Sequence, residues 1–149
     1  MREIKRILVV SRMTTYCRRA IHCGISLAQQ YGAELSVIHV MYNPFEQMNM
    51  PMVSLEAEYR KDRERIKKEL DKIINGEKKK GMGIKEFIKE GEPVAQIMKV
   101  IEESKIDLVV LHAHKDSFWD HFIYGYRSDE MIRKMPCSVL LVKDRDNEA

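Results

Sequence analysis

Four short runs of branched apolar residues constrain this chain more than any other feature. They are IKRILVVS (4–11), ELSVIHVM (34–41), IDLVVLHA (106–113) and PCSVLLVKD (136–144). Each is short and apolar at consecutive positions, the pattern of a strand covered on both faces. Long stretches with helical periodicity separate them, and strands so separated are joined by crossovers rather than hairpins. Crossovers are right-handed, so the sheet is predicted to be parallel, with helices on both faces.

The intervening segments support that reading. In TTYCRRAIHCGISLAQQYGAE, Thr14 or Thr15 is placed to cap a helix. Cys17, Ala20, Ile21, Gly24, Leu27, Ala28 and Tyr31 form its apolar face, and Gly32 ends it. A loop over 42–52 carries Pro44, Pro51 and the methionines 48, 50 and 52. A long helix over 53–76 has Leu55, Tyr59, Ile66, Leu70, Ile73 and Ile74 as its stripe and charge on its other face. GIKEFIKEG (83–91) alternates in polarity, as an edge strand does. The next helix, EPVAQIMKVIEESK, has a proline in its first turn and Val94, Ile97, Met98 and Ile101 directed inward. RSDEMIRKM is a further short helix, and the tail after residue 143 is expected to be flexible.

At 149 residues the chain is sized for one domain, expected to span 1–149. No apolar run nears the ~18 residues a membrane span needs, and the first residues lack the pattern of a signal peptide. A cytoplasmic protein that does not enter a membrane is expected. The net charge of +3 is too mild to point to nucleic acid, and lysine and arginine are interleaved with carboxylates in EYRKDRERIKKELDKI. Cys17, Cys23 and Cys137 are odd in number and form no Cys-x-x-Cys pair, so free, inert thiols are expected.

An open parallel sheet binds ligands outside the carboxyl ends of its strands, where the strand order reverses. If the first and fourth strands flank that place, the site is built from SRMTT (11–15) after the first and from the segment within LHAHKDSFWDHFIYGYRS (111–128) that follows the fourth. His112 and His114, two residues apart on a strand, point to one face, and Asp116, Asp120 and His121 follow. One reading is a metal site serving a metal-dependent hydrolase, although the spacing matches no zinc signature. The other is that these are polar loop residues, with no metal and no catalytic constellation.

The whole chain resembles the universal stress protein family. ILVVSRMTTYCRRAIHCGISLAQQYGAELSVIHV is similar to that family's opening strand, helix and strand, with its Gly-Ala-Glu-Leu turn and His-Val ending. EGEPVAQIMKVIEESKIDLVVL resembles its Gly-x-Pro start of a helix followed by an Asp-Leu strand, and MPCSVLLVK its closing strand. The resemblance implies a single open five-stranded α/β sheet, Rossmann-like, of order 3-2-1-4-5, of the universal stress protein or adenine nucleotide alpha hydrolase-like type. It also implies a stress-response or signalling module and a homodimer built on the last strand, through Ser138, Val139, Leu140, Leu141, Val142 and Lys143.

Members that bind ATP carry a Gly-x2-Gly-x9-Gly-Ser/Thr loop after the fourth strand. Here the first glycine falls on His112, the second on Lys115, the third is kept as Gly125, and the hydroxyl position is Tyr126. The family's aspartate after the first strand falls on Arg12, and its apolar adenine neighbour on Val40. Glycines let backbone N–H groups approach phosphate oxygens. His112 and Lys115 put side chains there, and Arg12 replaces an acceptor with a cation. ATP binding by the usual loop is therefore not expected, nor is enzymatic activity. The alternative keeps an adenine nucleotide or another anion in an altered pocket, with Arg12, Lys115, Arg127 and the helix start at Gly125 as its positive elements and His114 beside them. The aromatic residues Phe118, Trp119, Phe122, Tyr124 and Tyr126 either cover the sheet end or contact a protein partner.

Overall fold

The structure is a computed structural model that describes residues 3–11, 17–41, 53–77, 82–113 and 132–143. Five strands and three helices alternate along it: β1 (Arg6–Ser11), α1 (Cys17–Tyr31), β2 (Glu34–Met41), α2 (Val53–Glu77), β3 (Ile84–Glu90), α3 (Pro93–Glu103), β4 (Leu108–Ala113) and β5 (Ser138–Lys143). Residues 132–134, just before β5, are also helical. The strands form one sheet of order β3-β2-β1-β4-β5, and every pairing is parallel. Fold class and strand order are those expected from the sequence.

The two-residue repeat of a strand sorts the core into two layers. Ile7, Val9, Leu35, Val37, Leu108 and Val110 face α1 and α2, where they meet Ala20, Ile21, Ile25, Ala28, Leu70 and Ile74. Leu8, Val10, Ile38, Val40, Val109 and Leu111 face the other way, onto Val94, Ile97, Val100 and Ile101 of α3. Burial on both faces explains why β1, β2 and β4 read as unbroken apolar runs.

Two expectations about α1 change. Tyr31 was placed on the apolar face, yet it is 54% exposed, whereas Ile25, left out of that face, is 2% exposed. Tyr31 is the last helical residue, and at Gly32 (φ +63°) the chain turns away towards β2. The stripe therefore loses its sheet partner before Tyr31, and Ile25 holds the position one turn after Ile21. The side chains of Cys17, Leu55 and Tyr59 lie outside the described residues.

Proline at the first position of α3 follows Glu92, whose carboxylate accepts from the backbone N–H groups of Val94 (3.1 Å) and Ala95 (2.7 Å). That cap satisfies two of the donors a helix start leaves open. Helix α2 is fastened to β3 by an Arg63–Glu90 ion pair and by Lys67, 3.4 Å from both Asp71 and Glu86. These are surface pairs, and surface pairs contribute little to stability. Their main consequence is for charge, because they occupy the carboxylates of β3. No helix among the described residues is long and apolar enough to cross a membrane.

Candidate functional site

The strand order reverses at β1, which lies between β2 and β4. In such a sheet the crevice opens beyond the carboxyl ends of these strands. Three polar side chains are buried among the described residues, and all three are found there: Ser11 (1% exposed), His39 (8%) and His112 (6%). Ser11 is in register with His39. On its other side β1 pairs with β4 as far as Val9 and Val110, and His112 follows two residues later on β4, in register with Val142 of β5. His39, Ser11 and His112 thus form a row at the carboxyl ends of the three strands that border the crevice.

Strand parity puts the row on the α1 face. His39 continues Leu35 and Val37, and His112 continues Leu108 and Val110, all of which belong to that layer. The Nδ1 atom of His39 lies 3.1 Å from the carbonyl oxygen of Ser11. A carbonyl oxygen only accepts, so His39 makes this bond by carrying a proton on Nδ1. The bond spans 28 residues of sequence and holds the ends of β1 and β2 together at the rim.

Val40 is also buried, at 6%, but on the α3 face. The sheet therefore separates the side chain of Val40 from that of His112. Both border the crevice, one from each face. Arg12, His114, Lys115, Gly125, Tyr126 and Arg127 lie outside the described residues, as do Asp116, Asp120, His121 and the aromatic segment 118–126. Among the described residues no group of three His, Cys, Asp or Glu side chains is arranged to hold a metal ion. The sequence points to the segment starting at Ser11 as part of the crevice but not to His39. The signal was present: each histidine continues an every-second-residue apolar series, Leu35 and Val37 before His39 and Leu108 and Val110 before His112.

The two described thiols lie on α1 and just before β5. Cys23 and Cys137 are half-buried and free. Burial pushes the Cys137 thiol up to about 11, with the Asp107 carboxylate acting in the same direction and a backbone hydrogen bond from Val109 opposing it. Burial raises Cys23 as well. Raised thiols are poor nucleophiles near neutral pH.

Fold and strand order together define a doubly wound α/β domain with a crevice at the carboxyl edge of its sheet. Over residues 3–143 the sequence matches the universal stress protein family, and the chain belongs to that family. A universal stress protein of Methanothermobacter thermautotrophicus is 25% identical over 143 residues, 95% of this chain and 97% of that one. The solved structure of MJ0577, a universal stress protein of Methanocaldococcus jannaschii, superimposes with a TM-score of 0.72 at 20% identity, covering 97% of this chain and 99% of the other. A universal stress protein family member of Arabidopsis thaliana, solved with AMP bound, superimposes with a TM-score of 0.55 at 18% identity, covering 97% and 94%.

Proposed function

We propose that this chain is a stress-response or signalling binding module that does not hold ATP through a glycine-rich loop. The observation that carries the reading is His112. It stands where the ATP-binding members have the first loop glycine, and it is a β4 residue whose side chain is buried. A glycine there leaves the backbone open to a phosphate oxygen. An imidazole fills that room and ties the position to the α1-side layer. Calorimetric titration of the protein with ATP, ADP and AMP in the presence of magnesium tests this. No saturable heat with ATP at millimolar concentration is expected, and saturable micromolar binding of ATP overturns the reading.

A second reading is favoured by Val40, which stays apolar and buried at the end of β2, at the family's adenine-contacting position. In it, an adenine nucleotide with a shorter phosphate tail, or another anion, is held near Arg12, Lys115 and Gly125. Micromolar binding of AMP without ATP in the same titrations selects it.

We further propose that the protein is a homodimer through β5. This strand is a sheet edge, and Leu141 is 41% exposed on it. An apolar edge strand is usually covered. Leu140 and Val142 pack against the α1- and α2-side core, so lysines there would damage the fold along with any interface. Leu141→Lys is the cleaner probe. It is expected to weaken dimerisation at least tenfold by light scattering across a dilution series. An unchanged dimer would rule this interface out.

A further inference from the structure

At the other edge of the sheet, β3 is paired with β2 along its whole length, Leu35 with Ile84 through Met41 with Glu90. No strand among the described residues lies on its outer side. Its outer side therefore carries backbone N–H and C=O groups that the sheet leaves unpaired, a template for one more strand. β3 contains no proline to interrupt such pairing.

The side chains of β3 divide by charge. Glu86 and Glu90 point to the α2 side, where Lys67 and Arg63 pair with them. The opposite face reads Lys85, Phe87, Lys89 at two-residue spacing. The two ammonium groups lie 4.9 and 5.7 Å from the centre of the Phe87 ring. No carboxylate among the described residues forms an ion pair with either lysine. Phe87 is half-buried against the α3-side core, which keeps the ring fixed between them. The result is a cation–aromatic–cation stripe beside a strand edge that no described strand covers, with its own strand's acids already neutralised from behind.

We propose that the free edge of β3 takes up an extended acidic segment of a partner protein by strand addition. The backbone ladder supplies affinity, and side chains at alternate positions supply register and selectivity. An added strand with acidic, apolar and acidic residues at two-residue spacing sets its carboxylates against Lys85 and Lys89 and its apolar residue against Phe87. In the antiparallel register centred on Phe87, two β3 edges would set Lys85 against Lys89, and these like charges repel, which favours an acidic partner over a second copy of this chain. A single nucleic-acid strand would use the charge and the ring but leave the backbone edge unpaired, so the free edge favours a peptide. The proposal does not depend on what the crevice at the carboxyl edge binds.

The test uses the full-length protein and a fluorescein-labelled peptide whose centre is Glu-Thr-Ile-Thr-Glu, flanked by threonines, read by fluorescence anisotropy. Saturable binding is expected, weakening with added salt. The Lys85→Glu/Lys89→Glu double variant is expected to lose at least tenfold in affinity with an unchanged circular dichroism spectrum. It should in turn bind the peptide with lysines in place of the glutamates. N-methylation of alternate peptide bonds, which blocks the ladder, is expected to abolish binding. The proposal is overturned if the peptide does not bind at millimolar concentration, if charge reversal leaves affinity unchanged, or if the N-methylated peptide binds equally well. It is also overturned if single-stranded oligothymidine binds more tightly than the peptide with the same lysine dependence.

Discussion

Gly24→Leu is expected to destabilise the protein by about 3 kcal/mol or more, at the upper end of what overpacking a filled core costs. Gly24 is buried in the middle of α1, where the helix presses on the sheet. A Cβ at this position would come within 2.4 Å of Val9 Cγ2 and 3.2 Å of Leu35 Cδ1. Neither neighbour has room to yield. Val9 is completely buried on the central strand, and its branched side chain has little rotamer freedom. Even Gly24→Ala, which gains about 1 kcal/mol in helix propensity, should be destabilising on balance, by about 1–2 kcal/mol given the 1–3 kcal/mol typical of overpacking. Urea unfolding is the measurement, with the midpoint falling at unchanged slope. An alanine variant as stable as the wild type would mean that α1 can lift away from β1 freely.

Asp107→Ala should have the next largest effect, a loss of about 2–3 kcal/mol, since hydrogen bonds to a charged group contribute ~1.5–3 kcal/mol each and water can replace part of that here. One carboxylate oxygen, Oδ2, accepts the backbone N–H groups of both Lys5 and Arg6 at 2.9 Å. The backbone of the same residue donates to the Arg6 carbonyl at 2.9 Å and accepts from Ser138 N–H at 3.3 Å. Asp107 thereby gathers the starts of β1, β4 and β5. Alanine keeps the backbone bonds and leaves the two amides of β1 to water. Asp107→Asn retains an acceptor oxygen and should restore at least half of the lost stability. Equal stability of the alanine and aspartate forms in thermal melts would show that the β1–β4 register holds without this side chain.

Much of the architecture was legible along the chain because its elements are local and strongly periodic. The apolar runs of β1, β2 and β4, the Pro93 start of α3 and the break at Gly32 each reflect a constraint acting within a few residues. The edge position of β3 was legible too, since its mixed polarity suits a strand at the sheet's border, where both faces are only partly covered. Tyr31 was misplaced because a helical stripe says where a face points, not where the sheet beneath it ends. The crevice was legible only as a place. The sequence drew attention to His112 through its place at the family's first loop glycine, but the buried polar residues that share its sheet edge and face, Ser11 and His39, come from two other strands.

The sequence by itself determined the order and type of the elements, the apolar faces of its helices, and which residues stand at the family's loop positions. These follow from periods of two and 3.6 residues and from side-chain chemistry. Only the tertiary structure decided which distant residues meet. It placed His39 on the Ser11 carbonyl across 28 residues and Asp107 on the Arg6 amide across 101. It also gave the carboxylates of β3 to α2 while leaving Lys85 and Lys89 with Phe87. Such contacts depend on strand register and helix placement. Both are fixed by the packing of the whole core, not by any short segment of chain.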